Sequence, residues 1–163
     1  MAQAVLYETY GWPGGASPSG PAQGRIHLSL RFKCDSDGNS GVFFRSEYEG
    51  NKMSHGIQFE IDRKPNYRTG AIYGDGRRFI VFPTAEHEMA LRPDDWNHFL
   101  LKVMGNRYVC ILNGSLLVDF TDPTPKSFDG HLALQLHGES QTARLGSGNM
   151  WFKDIRIRDL SKR

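Results

Sequence analysis

The sequence predicts an all-β domain, a sandwich of antiparallel sheets, and three observations carry that reading. Gly and Pro supply 18 and 8 of the 163 residues and no stretch has apolar periodicity of helix length, so turn chemistry dominates over helix packing. The run HGIQFEID, His55 to Asp62, alternates without a break, with Ile57, Phe59 and Ile61 on one face and Gln58, Glu60 and Asp62 on the other. Asn113-Gly114 stands between two apolar runs, the dipeptide that suits a type I′ hairpin turn. Turn signals recur about every 8 to 12 residues, which gives about eight to eleven strands at the spacing of a sandwich or jelly roll.

Taken in order, residues 1 to 24 hold VLYETYGW and then PGGASPSGPAQG, a short strand or arm followed by a loop. Trp12 within it either stacks on a sugar ring or covers a core edge. Residues 25 to 163 read as one domain. Arg25 to Cys34 is a strand with Ile26, Leu28, Leu30, Phe32 and Cys34 facing a core and Arg25, His27, Ser29, Arg31 and Lys33 facing water. After the turn CDSDGNSG, alternation in GVFFRS sets Val42 and Phe44 against Phe43 and Arg45. Past HGIQFEID come a turn at Pro65-Asn66, the short runs AIYG and FIVF, and a segment bounded by Pro83 and Pro93 with room for one helical turn. WNHFLLKVMG, the hairpin NRYVCILNGSLLVDF, HLALQLHG and MWFKDIRIRDL supply the remaining strands. Asn-Gly-Ser in the hairpin matches a glycosylation sequon, but a tight turn is a poor acceptor and the residues read as a turn.

Composition excludes several function classes. The net charge is +2 and the basic residues are scattered along the sequence, which gives no electrostatic case for nucleic acid. No apolar run approaches the roughly 20 residues of a membrane span. The start MAQAVLYETY lacks a basic segment followed by an apolar one, so no secretory signal is expected there. Cys34 and Cys110 sit inside strand-like segments as small hydrophobes. No Ser occupies a nucleophile elbow, and Gly74 to Gly76 is too short for a phosphate loop.

Six stretches stand in one order: NSGVFFRS, GIQFEID, RTGAIYGDGRR, DDWNHFLLKVMGNRYVCILNG, GHLALQLHG and WFKDIRIRDL. From about Arg25 to Leu160 the chain therefore resembles the 3-keto-disaccharide hydrolase domain, a concanavalin A-like jelly roll. Members of that family usually open with one or two further strands and a Trp-rich segment, where this chain is short and loop-like. Their strand often reads Glu-x-Gln where this chain has Gln58-Phe59-Glu60, and a subgroup with GYQFEID-like text is closer. The resemblance implies a carbohydrate partner, hydrolysis of 3-keto-glycosides, and a bacterial protein in the periplasm or outside the cell.

Polar residues on the exposed face of one sheet are the site candidates: Arg45, Gln58, Asp62, Tyr73 and Gln135 for substrate, Glu60 and His137 for proton transfer. Amide, carboxylate and guanidinium groups suit sugar hydroxyls because each donates or accepts in a fixed plane. From the pattern alone, the same residues equally describe a solvated open sheet face. Glu60 and Asp62 are also similar to the Glu-x-Asp core of laminarinase-like glycosidases, but the further Glu that a paired-carboxylate mechanism needs is absent from EIDRKP. A 3-keto sugar needs one base, because the ketone acidifies the C2 proton and the C1 substituent leaves by elimination before water adds. Glu60 is that base in this reading, with Arg45 or Gln58 on an oxyanion or hydroxyl. A divalent metal is a weaker alternative, since no spacing among His55, Glu86, His87, Glu88 and His137 matches an established site. A non-catalytic carbohydrate-binding module on the same jelly roll is the main competitor, and a sandwich for protein contacts is a third.

Overall fold

The computed structural model describes residues 3–5, 24–49, 52–54, 56–63, 68–74, 76, 79–125, 130–136 and 149–160. Alternating sequence becomes strand, and strands take up about two thirds of that length. The strands are β1 (Gln3–Val5), β2 (Arg25–Cys34), β3 (Asn39–Glu49), β4 (Lys52–Ser54), β5 (Ile57–Asp62) and β6 (Ile72–Gly74). They continue with β7 (Phe79–Val81), β8 (Asn97–Met104), β9 (Arg107–Leu112), β10 (Ser115–Thr121), β11 (His131–Leu136) and β12 (Met150–Asp159). Among the described residues the count exceeds the sequence expectation because β4, three residues long, is too short to show alternation. The Pro-bounded segment holds a 3-10 helix, Ala85–Ala90.

Two antiparallel sheets form the jelly-roll sandwich. One runs β1-β11-β3-β5-β6-β7 with β4 attached to β3, and the other runs β10-β9-β8-β2-β12. The apolar face of each strand closes the core. Leu28, Leu30 and Phe32 from β2 and Phe99 and Leu101 from β8 meet Val42, Phe44, Ile57, Phe59 and Ile61 of the opposite sheet. Phe32 packs on Phe99 at 4.7 Å and Phe44 meets Phe59 edge-on at 5.6 Å. Each such side chain contributes about 1.5–3 kcal/mol by leaving water. Cys34 and Cys110 are buried among them as free thiols, and burial pushes the Cys34 thiol up to about 11. Neither is therefore a reactive thiolate. Among the described residues no helix is long and apolar enough to cross a membrane.

The β9–β10 hairpin turns at Asn113 and Gly114, both at positive φ (51° and 91°), as the dipeptide requires. Its side chain is committed: Asn113 Nδ2 donates to Ala90 O and to Asn97 Oδ1, and Asn113 Oδ1 accepts from the His98 N–H. The sequon residues thus form a structural turn.

Arg45 departs from the expected alternation, and its assignment to the substrate face needs correction. The β11–β3 register shifts between His131 and Ala133, and Arg45 adopts φ 57° at that bulge. Gly130 lies so close that a Cβ there would sit 2.4 Å from the Arg45 carbonyl carbon. The bulge turns the side chain toward the opposite sheet, where Nη1 donates to Tyr108 Oη at 2.7 Å and Nη2 donates to Gly105 O at 2.5 Å. The residue is 7 % exposed. Arg45→Met, which keeps the stem and removes the donors, is expected to lower unfolding free energy by about 2–3 kcal/mol, seen as a shifted urea midpoint at unchanged slope.

Candidate functional site

The outer face of the larger sheet gathers most of the predicted residues. Antiparallel pairing sets Asp62 opposite Asn39, Glu60 opposite Gly41 and Gln58 opposite Phe43. Gln135 of β11 lies opposite Gly41 from the other side, and Tyr73 of β6 lies opposite Gln58. Residues directly opposite share a face, so Gln58, Glu60, Asp62, Gln135 and Tyr73 belong to one surface. His137 and His55 lie outside the described residues, as does Trp12, and the side chains of Glu86, His87 and Glu88 do as well. Among the described residues no group of three His, Cys, Asp or Glu is placed to hold a metal ion.

This face is not the open, solvated one that alternation alone allows. Gln58, Glu60 and Asp62 are 2 %, 6 % and 4 % exposed. A buried polar row survives only if it is hydrogen-bonded. Gln58 Nε2 donates to Gln135 Oε1 at 2.7 Å and to Ser40 O at 3.3 Å. To get there its amide crosses directly over Gly41, where an added Cβ would meet Nε2 at 2.0 Å and Cγ at 2.6 Å. Gly41→Ala should therefore evict the Gln58 amide and break its bond to Gln135. The expected cost is about 1–3 kcal/mol of stability, with weaker sugar binding by isothermal titration.

Glu60 sits at the middle of this row. Asn39 Nδ2 donates to Glu60 Oε1 at 3.3 Å. Burial first, and the neighbouring Asp62 carboxylate second, push the Glu60 carboxyl up to about 8, while the Asn39 hydrogen bond and the Arg68 charge pull it partly back. Arg68 is placed by a turn clasped onto β5. Ala71 N–H donates to Arg68 O, Glu60 N–H donates to Ala71 O and Gly70 N–H donates to Glu60 O. Thr69 Oγ1 bonds both the N–H and the carbonyl of Asp62, at 3.1 and 2.9 Å. Asn39 and Arg68 are the members that strand alternation misses, because both reach Glu60 across the sheet or from a turn.

An aromatic surface borders the row. Tyr73, 37 % exposed, meets Phe79 edge-on at 5.2 Å, Phe79 stacks on Phe82 at 4.7 Å, and the Arg68 guanidinium lies 4.8 Å from the Phe79 ring centre. Phe82 is itself 50 % exposed. The arrangement therefore offers one buried carboxyl of raised proton affinity, amide donors beside it and exposed rings at its edge. Such a set can accept a proton from carbon and hold hydroxyl groups.

The sequence profile of the 3-keto-alpha-glucoside-1,2-lyase-like domain matches residues 21–158. The chain belongs to this family. Membership agrees with the resemblance carried by the six motifs. No curated protein matches the chain significantly. Among solved structures, this 3-keto-glucoside-lyase-like domain is similar to a protein from Parabacteroides distasonis provisionally assigned as a glycosyl hydrolase. That match has 21% identity, covers 83% of this chain and 78% of the other, and has a TM-score of 0.57. It is also similar to the carbohydrate-binding module CBM66 from Bacillus subtilis, with 13% identity, 96% and 94% coverage and a TM-score of 0.61. The Caenorhabditis elegans galectin LEC-6 matches at 13% identity, 87% and 88% coverage and a TM-score of 0.51. At these identities the likeness establishes the jelly-roll fold. Function has to be argued from the site.

Proposed function

We propose that this domain cleaves 3-keto-glycosides by elimination followed by hydration, with Glu60 as the base. The observation that carries the reading is the buried Glu60 carboxyl, raised to about 8 within a hydrogen-bonded polar row. A catalytic base works best when its pKa lies near the operating pH, and this carboxylate binds a proton far more firmly than an exposed Glu does. The ketone at C3 acidifies the C2–H bond. Glu60 takes that proton, the electron pair forms the C1=C2 double bond, and the C1–O bond breaks to release the aglycone. The water molecule that protonates the departing aglycone oxygen then adds as hydroxide at C1 while Glu60 returns its proton to C2, which regenerates the carboxylate and gives the 3-keto sugar and the free aglycone.

Charge that develops on the C3 oxygen during proton removal needs a donor. With Arg45 turned to the other sheet, Arg68 and Gln135 take that role. The Gln135 carbonyl oxygen is held by Gln58, which leaves its amide N–H groups to face the sugar. Asp62 lies on the same strand face as Glu60 and raises its proton affinity, so the two act as a tuned single base rather than as a nucleophile and acid.

Incubation with a 3-keto-glucoside, followed by detection of the released 3-keto sugar and aglycone, tests the proposal. Release that depends on Glu60 supports it. The exposed Tyr73 and Phe82 rings, packed on either side of the partly buried Phe79, favour a second reading, a carbohydrate-binding module without turnover, since such rings stack on sugar faces. Binding of the intact glycoside with no release would select that one.

A further inference from the structure

Basic residues that are scattered along the chain are gathered by strand pairing on the outer face of the smaller sheet. On β2 the outward positions are Arg25, His27, Ser29, Arg31 and Lys33. The register sets Lys33 opposite Trp151, Arg31 opposite Lys153, Ser29 opposite Arg156 and His27 opposite Arg158 of the edge strand β12. Lys102 of β8 flanks His27 on the other side. Arg25, Arg31, Lys153, Arg156 and Arg158 are exposed. At roughly 3.3 Å per residue, the stripe from Arg25 to Lys33 is about 26 Å long and two neighbouring strands wide.

The carboxylate that interrupts it, Asp154, pairs with Arg31 at 3.6 Å with both side chains about half exposed (53% and 55%). Such a pair is weak and easily exchanged for a ligand anion. The whole chain carries only +2, so charge is segregated onto this face. Partial burial, with repulsion from Lys102 and Arg158, holds the His27 imidazole below its ordinary value, a sign of positive potential along the stripe.

We infer that this stripe binds an acidic polysaccharide, one whose sugars carry carboxylate or sulfate groups. A long narrow row of cations matches a linear polyanion better than a flat surface, which would engage a broad array instead. Guanidinium groups suit carboxylate and sulfate oxygens because they donate in a planar fork. Single-stranded nucleic acid would need aromatic faces for base stacking. The two indoles at the stripe already carry ammonium groups, Lys33 over Trp151 at 5.7 Å and Lys153 over Trp96 at 3.8 Å. The stripe lies on the sheet opposite the Glu60 row, so it anchors the domain to a polymer without entering the site.

Affinity electrophoresis through gels containing polygalacturonate tests this. The wild-type chain should be retarded at low ionic strength, progressively less as salt rises, and not at all by neutral dextran. The double variant Arg156→Ser with Arg158→Ser should bind at least about tenfold more weakly while its melting temperature stays unchanged. Lys33→Ser with Lys153→Ser provides a second variant should the first not fold, with the same expected loss. Equal retardation of wild type and variants, or none for the wild type, overturns the inference. Tighter binding to an oligothymidylate or to phosphatidylglycerol vesicles than to polygalacturonate also overturns it, and assigns the stripe to that other class of polyanion.

Discussion

Glu60→Gln is expected to lower kcat/KM for a 3-keto-glucoside by about 10²–10⁴-fold, the range associated with loss of a general base. The substitution keeps the shape of the side chain and its capacity to accept the Asn39 hydrogen bond, so the loss reports the missing proton acceptor and not a collapsed row. Glu60→Asp should fall between the two, because the carboxylate survives but is drawn back by one methylene. The wild-type rate should rise with pH through about 8, as the carboxyl ionises in the free enzyme. A pH profile of kcat/KM measures this directly. Unchanged turnover in Glu60→Gln, or a rate already flat from pH 5 upward, would remove Glu60 from the mechanism.

The variant also separates catalysis from binding. If the domain only bound sugar, Glu60→Gln would alter affinity modestly, since an amide replaces one acceptor oxygen with a donor. If the carboxylate is the base, substrate should still bind and the chemistry should fail. Titration with an unreactive glycoside, run beside the turnover assay, shows which of the two has happened.

Much of this arrangement is legible in the sequence, for physical reasons. A period of two has a single meaning in a sheet, so HGIQFEID defines both the strand and the polar face that carries Glu60. Asn113-Gly114 likewise imposes its turn, because both residues must take positive φ. What alternation cannot convey is anything that depends on a neighbouring strand. The Arg45 bulge arises from the register against β11 and from Gly130, which is 85 positions away in the chain, so counting from Val42 puts the guanidinium on the wrong side. Burial of the polar row is invisible for the same reason: periodicity names a face and says nothing of its exposure. The basic stripe escapes a linear reading because β2 and β12 are paired across most of the chain length.

Burial of Glu60 also predicts how stability depends on pH. Its proton affinity is higher in the fold than in the unfolded chain, where a Glu titrates near its ordinary value. The folded state therefore prefers the protonated carboxyl. Its contribution is fully present below the unfolded value and is lost as pH rises through about 8, because the fold must then hold a charge withdrawn from water. Each pKa unit corresponds to about 1.4 kcal/mol, so a shift of this size costs about 2–4 kcal/mol at pH 9 once relaxation is allowed for. Glu60→Gln removes that charge. The variant should match wild type at pH 4 and exceed it by about 2–4 kcal/mol at pH 9, measured by urea unfolding at both values. The variant with the greatest loss of activity would then be the more stable protein at alkaline pH, as expected when an active site holds a buried charge at the expense of the fold. Equal stabilities at pH 9 would mean that the carboxylate is solvated in the fold, and would weaken the case for it as a tuned base.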